Sequence, residues 1–67
     1  MVEITVNGVA HEVREGTTLA ELVDSLALPP EQVAVELNRA LVRRGERVAR
    51  RLEPGDQVEL VTLVGGG

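Results

Sequence analysis

Val2-Glu3-Ile4-Thr5-Val6-Asn7-Gly8-Val9-Ala10-His11-Glu12-Val13 stands near the start of the chain and decides the fold. Val2, Ile4 and Val6 alternate with Glu3 and Thr5, the period of two of a half-buried strand. Asn7-Gly8 follows, and both residues tolerate the positive φ of a type I′ hairpin turn. A two-residue turn there sets Val6 against Val9, Ile4 against His11 and Val2 against Val13, and puts all six on one face. His11 is then a partly buried residue opposite Ile4. No Ser, Asp or Cys is placed to turn it into a catalytic group, and Glu12 and Glu15 read as surface charges.

Outward from this hairpin the pattern changes period. Glu15-Gly16 breaks the second strand, and Thr18-Leu19-Ala20-Glu21 fits a capping box with Thr18 as N-cap and Glu21 at the third helical position. Leu19, Leu22, Val23 and Leu26 fall on one helical face. Pro29-Pro30 cannot continue a helix, so the spacing predicts an end near Ala27, after about two turns that need tertiary contacts to persist. Val33, Val35 and Leu37 alternate as a third strand, Asn38-Arg39-Ala40 reads as a turn, and Leu41-Val42 as a short fourth strand. Residues 43 to 51 show no regular pattern. Glu53-Pro54-Gly55-Asp56 suits a type II turn. Val58 to Val64, broken only by Glu59 and Thr62, predicts a central strand covered on both faces.

Strand, strand, helix, strand, strand, strand is the order of an α+β domain, a mixed sheet of four to five strands with one short helix on one face. The two most apolar strands, the first and the last, are expected side by side in the middle and running the same way. Residues 1–64 make this one domain and residues 65–67 a flexible glycine tail, with no repeat, linker or second domain.

Composition narrows the chemistry. The 67 residues (7.2 kDa) include no Cys, no aromatic residue and one His. That excludes a disulfide framework, thiolate chemistry, a zinc site of the usual kind and a base-stacking platform. The formal charge is −4 and all seven basic residues are Arg, so nucleic acid and anionic membrane are not expected partners. No apolar run approaches the ~20 residues of a membrane span, and strand-like alternation stands where a basic leader region would sit. A cytoplasmic location is the expectation.

Gly65-Gly66-Gly67 has no structural use after a buried strand, because glycine is costly to order and offers no side chain to bury. One reading is a frayed end or a cloning remnant. The other is a working arm. Three extended residues reach about 10 Å beyond the sheet, and without Cβ atoms the arm fits a narrow channel. Its one reactive group is the α-carboxylate of Gly67. Activation with ATP to an acyl-adenylate makes that carbonyl an acceptor for sulfur or an amine, in a protein that is a carried substrate rather than a catalyst.

The strand closing on Asn7-Gly8, the helix start at Thr18-Leu19 with Leu22, Val33-Ala34-Val35-Glu36 with Asn38, Pro54-Gly55-Asp56 and the ending Val64-Gly65-Gly66-Gly67 together resemble the thiamin-pathway sulfur-carrier (ThiS) family over the whole chain. The resemblance implies the ubiquitin-like β-grasp fold. It implies adenylation of Gly67 by an E1-like (ThiF-type) adenylyltransferase, with Gly65 and Gly66 threading that partner's site. It further implies conversion to a thiocarboxylate with sulfur from a donor such as a cysteine desulfurase, and delivery to a ThiG-type thiazole synthase. The chain itself would bind no cofactor or metal, and ATP and Mg would be used by the partner. Many members carry an aromatic residue after the fourth strand, where this chain has Val48 and Ala49. The small subunit of molybdopterin synthase, carriers for tRNA thiolation and ubiquitin-like protein modifiers share the tail chemistry and stand as alternatives, as does a plain β-grasp binding module with an inert tail. The absence of Lys precludes self-linked chains through lysine.

Two stretches are candidate docking surfaces. Val61 and Leu63 alternate with Val58, Leu60 and Val64, so they fall on the bare sheet face beside the tail, where paired apolar side chains mark a partner site. Residues 39–51 hold six Arg and one Glu, which is +5 and leaves −9 for the rest. Arg43 and Arg44 there read either as a patch for an acidic partner or as a solvated edge that discourages strand pairing.

Overall fold

The computed structural model describes residues 1–63. Its strands are β1 (Val2–Val6), β2 (Val9–Val13), β3 (Val33–Leu37), β4 (Ala40–Val42) and β5 (Gln57–Thr62), with one α-helix, α1 (Leu19–Ser25). The sheet runs β2-β1-β5-β3-β4. β1 lies parallel to β5, and the other neighbours are antiparallel. The first and last strands are therefore adjacent and co-directed in the middle, as expected, and the arrangement is the β-grasp that the resemblance implies.

The hairpin has the anticipated register, Val2↔Val13, Ile4↔His11 and Val6↔Val9, around Asn7 (φ 50°) and Gly8 (φ 81°). Asn7 does more than turn the chain. Only Thr5 and Val6 of β1 pair with β5, and the Asn7 backbone N–H donates to the Val58 carbonyl at 2.8 Å. The Asn7 side chain then bonds both backbone groups of Leu60, donating from Nδ2 to the carbonyl (3.3 Å) and accepting from the N–H at Oδ1 (2.8 Å). A side-chain amide thus continues the ladder one step past the end of its strand.

The six hairpin residues share one face as expected, but cover does not extend to all of it: Val9 is 67% exposed. The seven residues of α1 span about 10 Å, whereas a five-stranded sheet is about 19 Å wide. Burial therefore fades along outer strand β2 from Val13 through half-buried His11 to Val9.

Helix α1 starts as the capping box requires: Thr18 Oγ1 accepts from the Glu21 N–H at 3.1 Å, and the Thr18 N–H donates to Glu21 Oε1 at 2.9 Å. It stops at Ser25, two residues short of the proline-based expectation. The stop is a Schellman arrangement, with Ala27 N–H on the Asp24 carbonyl (3.0 Å), Leu28 N–H on the Val23 carbonyl (3.5 Å) and Ala27 at φ 57°. Alanine holds a position that favours glycine. Leu19, Leu22 and Val23 bury against Ile4, Val35, Leu37 and Val58 of the sheet. Leu52, unremarked in the sequence reading, joins them because Leu52 N–H bonds the Thr17 carbonyl (2.8 Å) while Leu19 N–H bonds the Arg50 carbonyl (2.9 Å).

Three further expectations are corrected. Ala40 is a strand residue rather than part of a turn, because Asn38 (φ 52°) and Arg39 (φ 71°) complete a two-residue turn without it. The 43–51 stretch is not irregular throughout, since Arg44–Ala49 is a 3-10 helix started by Glu46 accepting from the Arg43 N–H (3.3 Å). Strand β5 begins at Gln57, whose N–H bonds Asn38 Oδ1 at 2.9 Å, and is covered on one face only: Val58 is buried and Val61 exposed. The expected face assignment of Val64 lies outside the described residues.

Asn7→Gly keeps the turn but deletes both bonds to Leu60, and thermal unfolding should show a loss of about 1 kcal/mol, a drop of roughly 4–8 °C in Tm. Ala27→Gly should do the reverse, raising stability by about 0.5–1 kcal/mol by relieving the left-handed alanine, against the order of helix propensities; an unchanged or lowered Tm would contradict that assignment.

Candidate functional site

Strand β5 carries the chain toward Gly67, and its last described ladder bond is from Leu63 N–H to the Gln32 carbonyl at 2.6 Å. The side chains of β5 alternate because the strand is half covered. Val58 and Leu60 face α1, and Glu59 and Val61 face away from it. Val61 is 57% and Leu63 53% exposed, so both predicted docking residues stand open at the end of the described chain. Val61 lies directly opposite Ala34 of β3. One step back, Glu59 lies opposite Glu36, which on its other side faces exposed Leu41 of β4. The open face thus combines apolar side chains with two carboxylates directly opposite each other, a pairing that opposes sheet stability.

Arg43 and Arg44 fall at the same end of the sheet. Val42 is level with Val35 and Leu60, and β4 runs antiparallel to β3, so the chain beyond Val42 heads toward the row where Val33 meets Thr62. Both arginines are exposed. An open groove between α1 and the 3-10 helix is lined by Thr18, Glu21, Asp24, Arg44, Arg47 and Arg51. Charges of both signs share it, and it holds no Ser, Cys or His. Among the described residues, no three His, Asp or Glu side chains gather at one point. Val48, in the same 43–51 stretch, is exposed.

The sequence reading missed Arg47. It is 5% exposed, and its guanidinium donates to the Pro30 carbonyl from Nη1 (3.1 Å) and to the Val33 carbonyl from Nη2 (2.6 Å). Burial, followed by the neighbouring Arg44, lowers its pKa from the ordinary arginine value. Nothing in a run of six arginines separates this one from the rest. Its place depends on where β4 stops and the 3-10 helix turns.

Gly65, Gly66 and Gly67, and with them the division of the chain at residue 64, lie outside the described residues. The model of the ThiS family matches residues 2–67, through the three glycines. The chain belongs to the ThiS family. A crystal structure of the thiamine biosynthesis protein (ThiS) from Geobacter metallireducens is similar, with a TM-score of 0.84 and 35% identity, covering 98% of this chain and 100% of that one. A thiazole synthase from Magnetococcus marinus is 46% identical over 65 residues; the match takes in 97% of this chain but 20% of that protein's length. An uncharacterized protein, ycf40, from Porphyra purpurea is 30% identical over 66 residues and is covered to 93%. Likeness at the level of a ThiS structure confirms the β-grasp fold. No helix among the described residues is long and apolar enough to cross a membrane.

Proposed function

We propose that this chain is a sulfur carrier of thiamin biosynthesis whose reactive group is the α-carboxylate of Gly67. The observation that carries this reading is the family match that runs through Gly65-Gly66-Gly67 to residue 67. A carboxylate oxygen attacks the α-phosphorus of ATP and pyrophosphate leaves, giving an acyl-adenylate. A sulfide-level sulfur nucleophile then attacks the carbonyl carbon and AMP leaves, so that one oxygen has been exchanged for one sulfur. Both steps belong to an E1-like, ThiF-type adenylyltransferase using Mg and ATP; with a cysteine desulfurase as donor, its persulfide sulfur attacks instead, AMP leaves, and a thiol reductant cleaves the resulting acyl disulfide to release the thiocarboxylate. Gly65 and Gly66 thread that enzyme's site because they lack Cβ atoms. The thiocarboxylate sulfur then goes to a ThiG-type thiazole synthase. The similarity of nearly the whole chain to a stretch of a thiazole synthase supports that destination.

Docking falls to the open sheet face. Val61 and Leu63 supply its apolar contacts, and the neighbouring Glu36 and Glu59 suit basic side chains on the enzyme. Arg43 and Arg44, at the same end of the sheet, suit a second, acidic contact. Apolar area removed from water drives such an interface, while the charges set its rate and register.

Incubation with ATP, Mg, the adenylyltransferase of the same organism and a sulfur donor should change the intact mass by the exchange of one oxygen for one sulfur at Gly67. Deletion of Gly66 and Gly67 should abolish the exchange and leave Tm unchanged, since glycine has no side chain to bury. Transfer onto lysines of other proteins would replace this reading with that of a protein modifier. Leu63→Glu places a charge on an exposed site, so Tm should move by no more than about 0.5 kcal/mol equivalent, while binding to the adenylyltransferase weakens by about tenfold or more. Unchanged affinity would remove Leu63 from the interface.

A further inference from the structure

We propose that Arg47 is a positioning residue that fixes where the reactive tail leaves the sheet. The proposal deepens the sulfur-carrier reading and rests on it for its enzymatic consequence. The argument starts from the pleat of β3. Alternate residues of a strand turn their backbone groups to opposite neighbours. Gln32 and Asn38 turn theirs toward β5, receiving the Leu63 N–H and bonding the Gln57 carbonyl. Val35 and Leu37 pair with β4 at Val42 and Ala40. By the same alternation the Val33 carbonyl faces the β4 side. β4 ends at Val42, and the chain there has already turned toward the 3-10 helix Arg44–Ala49. The Val33 carbonyl has lost its strand partner, and Arg47 Nη2 replaces it at 2.6 Å.

The other arm of the guanidinium reaches back to the Pro30 carbonyl at 3.1 Å. The planar fork therefore holds two carbonyls three residues apart, and Gln32 lies between them. Gln32 accepts the last described ladder bond of β5, from Leu63, four residues before Gly67. Arg47 does not bond Leu63 itself. It immobilises the short Pro30–Gln32 turn from behind, and that turn presents the carbonyl on which the end of β5 is anchored.

The cost of this arrangement argues for a use. Arg47 Nε is buried without a hydrogen-bond partner, and buried polar groups are seldom left so. Apolar residues of similar volume often serve stability as well as a buried charge does. An arginine here supplies what an apolar residue cannot: a rigid two-point hold on the turn that registers β5.

The test compares wild type with Arg47→Met, which fills the space without donors, under conditions where both are folded. Amide hydrogen exchange is read at Leu63 and at Asn38, which close opposite ends of the same β3–β5 ladder. The expected result is exchange at Leu63 accelerated about tenfold more than at Asn38. In adenylation assays with the cognate adenylyltransferase, the KM for the carrier should rise about tenfold with kcat retained. Where Arg47→Met does not fold, Arg47→Lys gives the same readings, since one ammonium cannot hold both carbonyls as the fork does. Equal acceleration at the two amides assigns Arg47 to general stability and overturns the proposal. So does a Leu63 amide already unprotected in wild type, or an unchanged KM beside a loosened Leu63. A wild-type chain that is never adenylated refutes the carrier reading instead, and the exchange data still judge Arg47.

Discussion

The parallel contact between β1 and β5 is the constraint from which the rest of the architecture follows. Parallel strands cannot be joined by a tight turn, so every element between residues 7 and 56 serves as their connection. That contact is short in residues and dense in bonds. Gly55 N–H reaches the Glu3 carbonyl and Thr5 N–H the Asp56 carbonyl, then Asn7 contributes one backbone bond and two from its side chain. Its consequence for function is positional. The strand that leads to the tail has a partner on each side only as far as Leu60, where the Asn7 amide ends the β1 side, and its last described residues are held by the β3 side alone, through Val33↔Thr62 and the Leu63 bond to Gln32.

Much of this was legible because it is local. A hairpin turn, a capping box and an alternating strand each depend on residues within about a turn or two of one another, and Asn7-Gly8, Thr18 with Glu21, and Val33-Val35-Leu37 all stand where their patterns put them. The features that escaped depend on distant partners. Asn7 announces a turn, but nothing near it announces Leu60. Leu52 is a lone apolar residue among charges until Thr17 fixes it in the core. Arg47 looks like five neighbouring arginines until the end of β4 leaves the Val33 carbonyl unpaired. Ala27 is a special case: the helix stop was foreseen from the prolines, whereas the chain stops earlier by a backbone motif in which the expected glycine is missing.

The candidate site shows the same division. Period two put Val61 and Leu63 on the open face from sequence alone, and that placement holds. The companion inference, that an apolar run marks a strand covered on both faces, does not hold within the chain. The two readings came from the same residues and differ only in what is assumed to do the covering. A strand whose outer face meets another protein carries the same apolar run as one buried inside its own fold, so a mismatch between an apolar run and one-sided cover points to a surface shaped for association.

Costs retained in the structure follow that line. Glu36 and Glu59 oppose each other on the open face, and Arg47 keeps an unpaired Nε in the interior. In a domain of this size, where the margin of stability is a few kcal/mol, the buried Nε is a real cost and the exposed pair of carboxylates a small one. Under the proposed function both fall at places the chain would use: the carboxylates beside Val61 on the open sheet face, and the guanidinium behind the Gln32 carbonyl that bonds Leu63. The chain would make no bonds itself under that function, and the properties it would supply are a surface that partners recognise and a defined start for its C-terminal segment.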